Sequence, residues 1–386
     1  MASGLSKRQF IKCSLLGACG LAAGFSGLRA AGRALEGMQG FPAGGDDGLW
    51  KWSTEARHYI NTPRGIKCKL CPHACNLKEG ETGDCRTRTV KNNKLYSIAY
   101  GNPCAVHIDP IEKKPLYHFL PGSTSYSIAT AGCNLACLNC QNWNISQLSP
   151  LDARNYDLMP EDVLRECIRA GCASISYTYT EPIAFYEYTF DTARIAGQGG
   201  IKNIFISAGY INPLPLKEIA RHLDAANIDL KSFDNDIYEM LNAGTLEPVL
   251  NSLKILRDEG VWLEITNLVV PTWTDDMDMV RKMCHWLATN GFSHFPLHFS
   301  RFHPMYKLRN LPATPYETLK KARTIARSEG IDHVYIGNVP GGDAENTICP
   351  HCGATAIERK GYRVIQNNIR KGNCGNCGNS LPGLWN

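Results

Sequence analysis

The 17 cysteines of this chain constrain its fold more than any other feature, because most of them are gathered into short runs. One group is Cys68, Cys71, Cys75 and Cys85; a second is Cys133, Cys137 and Cys140; a third is Cys349, Cys352, Cys374 and Cys377. C-x-x-C and C-x-x-x-C spacings converge thiolates on one soft metal centre, whereas a structural disulfide usually joins positions further apart. The chain is therefore expected to fold around metal. The scattered Cys167 and Cys284 have apolar neighbours at helical spacing and read as core, while Cys104 and His73 are spare ligands beside the first group.

A chain of 386 residues, 44% apolar and 20% charged, holds enough apolar material for one large domain or two ordinary ones, and wholesale disorder is excluded. The formal charge of +5 has a local origin: Lys7, Arg8, Lys12, Arg29 and Arg33 lie within residues 1–34, where there is no acid. The body is close to neutral, which argues against a nucleic-acid binder. Residues 1–34 resemble a twin-arginine export signal with Lys7-Arg8 in place of the usual pair, so a periplasmic location is the expectation and a cytoplasmic one the alternative. The uncharged run from Cys13 to Leu28 is shorter than the ~20 residues that span a bilayer, and no transmembrane span is expected.

Residues 50–110 are punctuated by Gly65, Pro72, Gly80, Gly83, Gly101 and Pro103 and read as a small Cys-rich metal module. Regular structure is expected from about residue 125. Strand-like runs at 125–130, 173–179, 203–207, 227–230, 262–270, 295–299 and 334–336 alternate with helical patterns, which argues for parallel βα units over 120–340. One helix opens at Pro160-Glu161-Asp162, carries an apolar face at Val163, Leu164, Cys167 and Ile168, and closes at Gly171; another opens at Asp275-Asp276. Residues 345–386 hold C-P-H-C-G and C-G-N-C-G around a hairpin read over 356–369, a zinc-ribbon signature. Arg359, Lys360, Arg363, Arg370 and Lys371 make it the basic end of the body, and a structural clasp or protein-docking knob is the reading preferred over nucleic-acid binding.

The second cysteine group follows the first strand in A-G-C-N-L-A-C-L-N-C-Q-N-W. Three thiolates can hold three corners of a [4Fe-4S] cluster and leave the fourth iron open, where a ferredoxin would supply a fourth ligand. An open iron can chelate S-adenosylmethionine (SAM), whose reductive cleavage gives a 5′-deoxyadenosyl radical that abstracts hydrogen. With D-P-I-E-K-K-P-L-Y-H-F-L-P-G-S (109–123), Q-N-W-N-I-S-Q (141–147), T-Y-T-E-P (178–182), I-D-L-K (228–231) and F-H-P-M-Y (302–306), the chain resembles the AmmeMemoRadiSam-system radical SAM enzymes, which are similar to pyruvate formate-lyase activating enzymes. The resemblance covers roughly residues 65 to 386.

It implies an α/β fold, a partial (β/α)6-type barrel flanked by the Cys-rich module and the ribbon. It also implies SAM contacts: Glu181 with Thr180 toward the amino group, Asp229 and Lys231 with Lys231 toward the carboxylate, and His303 near the ribose. Barrel logic independently collects Glu181, Ser207, Tyr210, Asp229, Lys231 and His303 at the carboxyl ends of strands. Asn139 stands where the superfamily often has an aromatic residue beside adenine. Cys68, Cys71, Cys75 and Cys85 suit zinc or an auxiliary cluster, and Cys349, Cys352, Cys374 and Cys377 suit zinc. Tyr177, Tyr179, Phe185, Tyr186 and Tyr188 read as packing around Glu181. An electron donor of flavodoxin or ferredoxin type is expected, with a protein substrate or a Memo-like or AMMECR-type partner implied by the resemblance. The competing readings are a glycyl-radical activating enzyme and, in another class, an iron–sulfur electron-transfer protein without catalysis.

Overall fold

A computed structural model describes residues 40–41, 50–339 and 344–385. The leader at 1–34, with Lys7, Arg8 and its apolar run, lies outside the described residues. The remainder is built on one eight-stranded sheet whose spatial order follows the chain. Its strands are β1 (Ala105–Pro110), β2 (Thr124–Ala129), β3 (Ser174–Tyr177), β4 (Lys202–Ser207), β5 (Ala225–Asp229), β6 (Trp262–Val269), β7 (Leu297–Arg301) and β8 (Val334–Gly337). β1 pairs antiparallel with β2, and every later pairing is parallel.

Regular structure thus starts earlier than residue 125. The β1 run A-V-H-I-D-P carries a proline and two charged or titratable side chains, a weak strand signal that pairing with β2 overrides. The other seven strands fall where alternation places them. All of β3 is buried and β2 nearly so, as expected of parallel strands covered on both faces.

The crossover helices are α1 (Pro160–Arg169), α2 (Tyr186–Gln198), α3 (Pro213–Ala220), α4 (Asn235–Asn242), α5 (Leu246–Asp258), α6 (Met277–Thr289) and α7 (Tyr316–Ser328). Six βα units end on β8, an open barrel. Helix starts obey local chemistry. The Asp162 carboxylate accepts from Met159 N at 3.3 Å at the start of α1, and Asp276 accepts from Asp278 N and Met279 N to open α6. The expected apolar face of α1 is narrower than read: Val163 and Cys167 are buried, whereas Ile168 is 56% exposed. Ile168 lies one residue, or about 100° of helix rotation, past Cys167, beyond the reach of the sheet.

Before the barrel, residues 54–97 form two small antiparallel sheets joined by turns. After it, Thr355–Lys360 and Arg363–Asn367 form the expected hairpin. Arg359 does not belong to a basic surface. It is buried, its Nη2 donating to Tyr117 O at 2.6 Å and its Nη1 to Thr347 Oγ1 at 2.8 Å. Leu384 N donates to His118 O at 2.8 Å, so the C-terminal segment is clasped to the loop between β1 and β2.

Candidate active site

The loop after β2 carries Cys133, Cys137 and Cys140, and α4 holds it. Helix α4 ends at Ala243 with φ +57°, leaving late carbonyls without intrahelical partners. Ala136 N donates to Asn242 O at 3.1 Å and Leu138 N to Leu241 O at 2.9 Å, so the cluster loop caps the helix that supports it. The loop's entry is tied to its exit by Gly132 N donating to Ile145 O at 3.0 Å, and Trp143 stacks on Tyr306 with ring centroids 5.3 Å apart.

All three thiols line one cleft of about 810 Å³ at the carboxyl ends of the strands. Cys133 Sγ accepts from Leu135 N at 3.4 Å, and Cys140 Sγ lies 3.2 Å from Ser146 Oγ. Burial raises the Cys133 and Cys137 thiols, the Glu181 charge adds to the rise at Cys133, and Lys231 and Asn242 oppose it at Cys137. Thiols held up by burial become ligands when a metal displaces the proton. The three Sγ atoms are not all within 4.8 Å of one another. That spacing fits a cube with one iron per thiolate better than a single ion.

Thr180, Glu181, Ser207, Asp229, Lys231 and His303 line the same cleft. Glu181, 3% exposed, accepts from Ser207 Oγ at 2.7 Å, Ala208 N at 2.8 Å and Ile183 N at 3.3 Å. Burial pushes its carboxyl up to about 7 against the pull of these donors and of Lys231. Ser207 thus orients Glu181, and Thr180 Oγ1 is occupied by Thr130 O at 2.9 Å. Lys231 Nζ pairs with Asp229 Oδ2 at 2.7 Å. Burial opposes its charge, but Asp229 and the neighbouring Cys137 hold its pKa well above the ordinary lysine value, so it stays a cation. His303 is exposed at the rim, with Nε2 3.4 Å from Asn338 O.

Tyr210 does not join the rim. Its ring meets His73 edge-on at 5.1 Å, against the Cys-rich module. The aromatic residues around Glu181 are packing as read, except Tyr179, half-buried with φ +63° and its hydroxyl on Asp109. Motif reading does not single out Lys114. It reaches the cleft from the loop after β1, bonds Asp109 Oδ2 at 2.6 Å, and is lowered to about 8 by burial, with Asp109 opposing. Its signal is present in the K-K-P of residues 113–115. Asn139 Oδ1 is buried in the cleft without a hydrogen-bond partner.

The C-terminal quartet is tighter. Among the described residues, Cys349, Cys352, Cys374 and Cys377 are the group of metal-ligating atoms that lie within 4.8 Å of one another. The Cys349–Cys377 and Cys352–Cys374 sulfurs are 3.8 and 3.9 Å apart. A tetrahedron with bonds of ~2.3 Å to sulfur has edges of about 3.8 Å. Gly353 and Gly378, at φ +72° and +76°, turn the chain back after each pair. This quartet can bind a metal.

Residues 127–287 match the radical SAM superfamily. An uncharacterized protein of Methanocaldococcus jannaschii is 45% identical over 318 residues, 82% of this chain and 95% of that one. The pyruvate formate-lyase-activating enzyme of Clostridium pasteurianum is 25% identical over 209 residues, 49% of this chain and 84% of that one. A domain of the corresponding enzyme from Bacteroides vulgatus superposes with TM-score 0.39 at 17% identity, covering 43% of this chain and 99% of that chain. The chain belongs to the radical SAM superfamily. It is an enzyme of SAM-dependent radical chemistry.

Proposed function

We propose that Cys133, Cys137 and Cys140 hold a [4Fe-4S] cluster and that the cleft around Glu181 and Lys231 binds SAM for hydrogen abstraction from a protein substrate. The observation that carries this reading is the gathering of three thiols, Glu181, Asp229, Lys231 and His303 from successive strand ends around one cleft. When bound, the reduced cluster and SAM supply a 5′-deoxyadenosyl radical. The chain's own groups bind and orient. Glu181, fixed by Ser207 and Ala208 N, offers carboxylate oxygen to the SAM amino group. Lys231, held by Asp229, offers a cation to the SAM carboxylate, and His303 faces the ribose from the rim. Asn139 Oδ1, lacking a partner, offers an acceptor to adenine in place of a stacking ring. Lys114, paired with Asp109, adds a second cation to the wall of the cleft.

Zinc is the metal proposed for the C-terminal quartet, on the strength of its sulfur spacing. An electron donor of flavodoxin or ferredoxin type supplies the reductant. The protein-substrate reading rests on the relatives named for activating pyruvate formate-lyase, and these also favour a second reading, abstraction from a glycine of a partner enzyme. A Memo-like or AMMECR-type partner and export through the leader rest on sequence alone. Fractionation of cells making the chain with and without Lys7→Gln/Arg8→Gln tests export; cytoplasmic retention of both refutes it.

The decisive experiment is anaerobic reconstitution with iron and sulfide, reduction, addition of SAM and quantification of 5′-deoxyadenosine. Wild type is expected to form it and Cys140→Ala to form none. No product from a wild type with a reduced cluster would refute the reading. An activation assay with a glycyl-radical partner separates the two substrates.

A further inference from the structure

Cys68, Cys71, Cys75 and Cys85 come from a strand end, two tight turns and a loop, yet all four line one pocket with Arg88 and Asn134. Their spacing is unlike that of the C-terminal quartet. No three of these sulfurs lie within 4.8 Å of one another, whereas all four of the C-terminal sulfurs do. A single tetrahedral ion draws its thiolates to edges of about 3.8 Å. A four-iron cube gives each thiolate its own iron and sets the sulfurs further apart, and the cluster loop at Cys133 shows the same wide spacing.

One side of the pocket suits an anionic cluster: Cys68 and Cys71 are buried there, while on the other side Cys75 and Cys85 are half-buried and the exposed Asp84 carboxylate lies 3.5 Å from Cys75 Sγ. Arg88 is 1% exposed, and its Nη1 donates to Cys68 Sγ at 3.5 Å and to Arg57 O at 2.9 Å. Its Nη2 pairs with Glu187, while its Nε, also buried, has no hydrogen-bond partner. Thr87 Oγ1 lies 3.2 Å from Cys85 Sγ but donates its hydrogen to Ala184 O at 2.6 Å, so the side-chain donor to sulfur in this pocket is Arg88. Leu70, Leu77 and Ile183 close the pocket's apolar side. Donors to sulfur and exclusion of water are the means by which a protein tunes an iron–sulfur centre.

The pocket also abuts the loop of the first cluster. A Cβ at Gly132 would stand 2.6 Å from Cys85 O, and His73 Nε2 lies 2.6 Å from Asn134 O, the residue after Cys133. We infer that Cys68, Cys71, Cys75 and Cys85 bind a second [4Fe-4S] cluster, seated directly against the loop that carries Cys133, and that this site is not a zinc site. The inference stands on the quartet's own geometry and does not require the SAM reading.

The test is elemental analysis of the full chain purified and reconstituted without oxygen, with the Cys133→Ala/Cys137→Ala/Cys140→Ala variant as the deciding sample because it leaves the module whole. That variant is expected to keep about four irons and about four sulfides per chain, with charge-transfer absorption that bleaches on reduction, and about one zinc. Absence of iron with about two zincs per chain overturns the inference, and so does a count of about two irons. Adding Cys71→Ser to the triple variant is expected to abolish the remaining iron and leave the zinc; iron unchanged by it would also overturn the assignment. Failure of the SAM reading would show separately, as a wild type with both clusters filled that forms no 5′-deoxyadenosine.

Discussion

Replacing Glu181 by Gln tests the electrostatics of the cleft without any cofactor. In the folded chain this carboxyl titrates at about 7, against 4.5 ordinarily, because burial outweighs its three donors. A raised carboxyl means that the folded state keeps its proton where the unfolded state has lost it. The group's contribution is therefore complete below about pH 4.5 and is lost as pH rises through 7. At about 1.4 kcal/mol per tenfold change in acid constant, the loss is about 3 kcal/mol. The amide of the Glu181→Gln variant has no proton to lose. It has one acceptor oxygen, and if that serves Ser207 and Ile183, the Ala208 amide is left facing an NH2 group, at roughly 1–3 kcal/mol. Wild type is thus expected to be the more stable near pH 5, with the gap closing or reversing by about pH 8.5, a relative change of roughly 2–3 kcal/mol. Urea unfolding of the reduced chains across that range reads it, and subtracting the variant cancels the other titrating groups. A difference independent of pH would refute the burial argument.

Lys231→Met removes a partly exposed ion pair, so stability is expected to fall by less than about 1 kcal/mol while SAM affinity drops about tenfold or more; equal affinity in an equilibrium binding titration would remove Lys231 from the site. Gly132→Ala drives a methyl to 2.5 Å from Thr87 Cγ2 and 2.6 Å from Cys85 O, at φ +104°, and is expected to cost roughly 2–4 kcal/mol and loosen the module, seen as faster proteolysis within 60–90. Ala243→Gly, at φ +57°, relieves a left-handed helix cap and is expected to stabilise by up to about 1 kcal/mol; a lower unfolding midpoint would contradict the cap geometry.

Much of this protein is determined by spacing along the chain. Cysteine intervals mark thiolate sites because a few residues of chain can wrap one metal centre, and β-branched runs alternating with capped helices specify βα units because burial and capping are local demands. From those two readings the rim follows, since parallel strands all end on one side: Glu181, Ser207, Asp229 and Lys231 reach the cleft as strand ends. Tertiary structure alone decided what depends on distance through space. β1 is a strand because β2 lies beside it, Arg359 is buried because the C-terminal hairpin folds back on the β1–β2 loop, and Ile168 is exposed because the sheet covers only a narrow stripe of α1. The support of the cluster loop by the carbonyls of α4 joins residues about a hundred positions apart, and no local pattern encodes it. The two flanking quartets have similar C-x-x-C signatures, yet one closes to tetrahedral sulfur contacts and the other stays open around a pocket. Spacing along the chain decides which thiols can meet; how far apart they stand is set by the packing behind each loop.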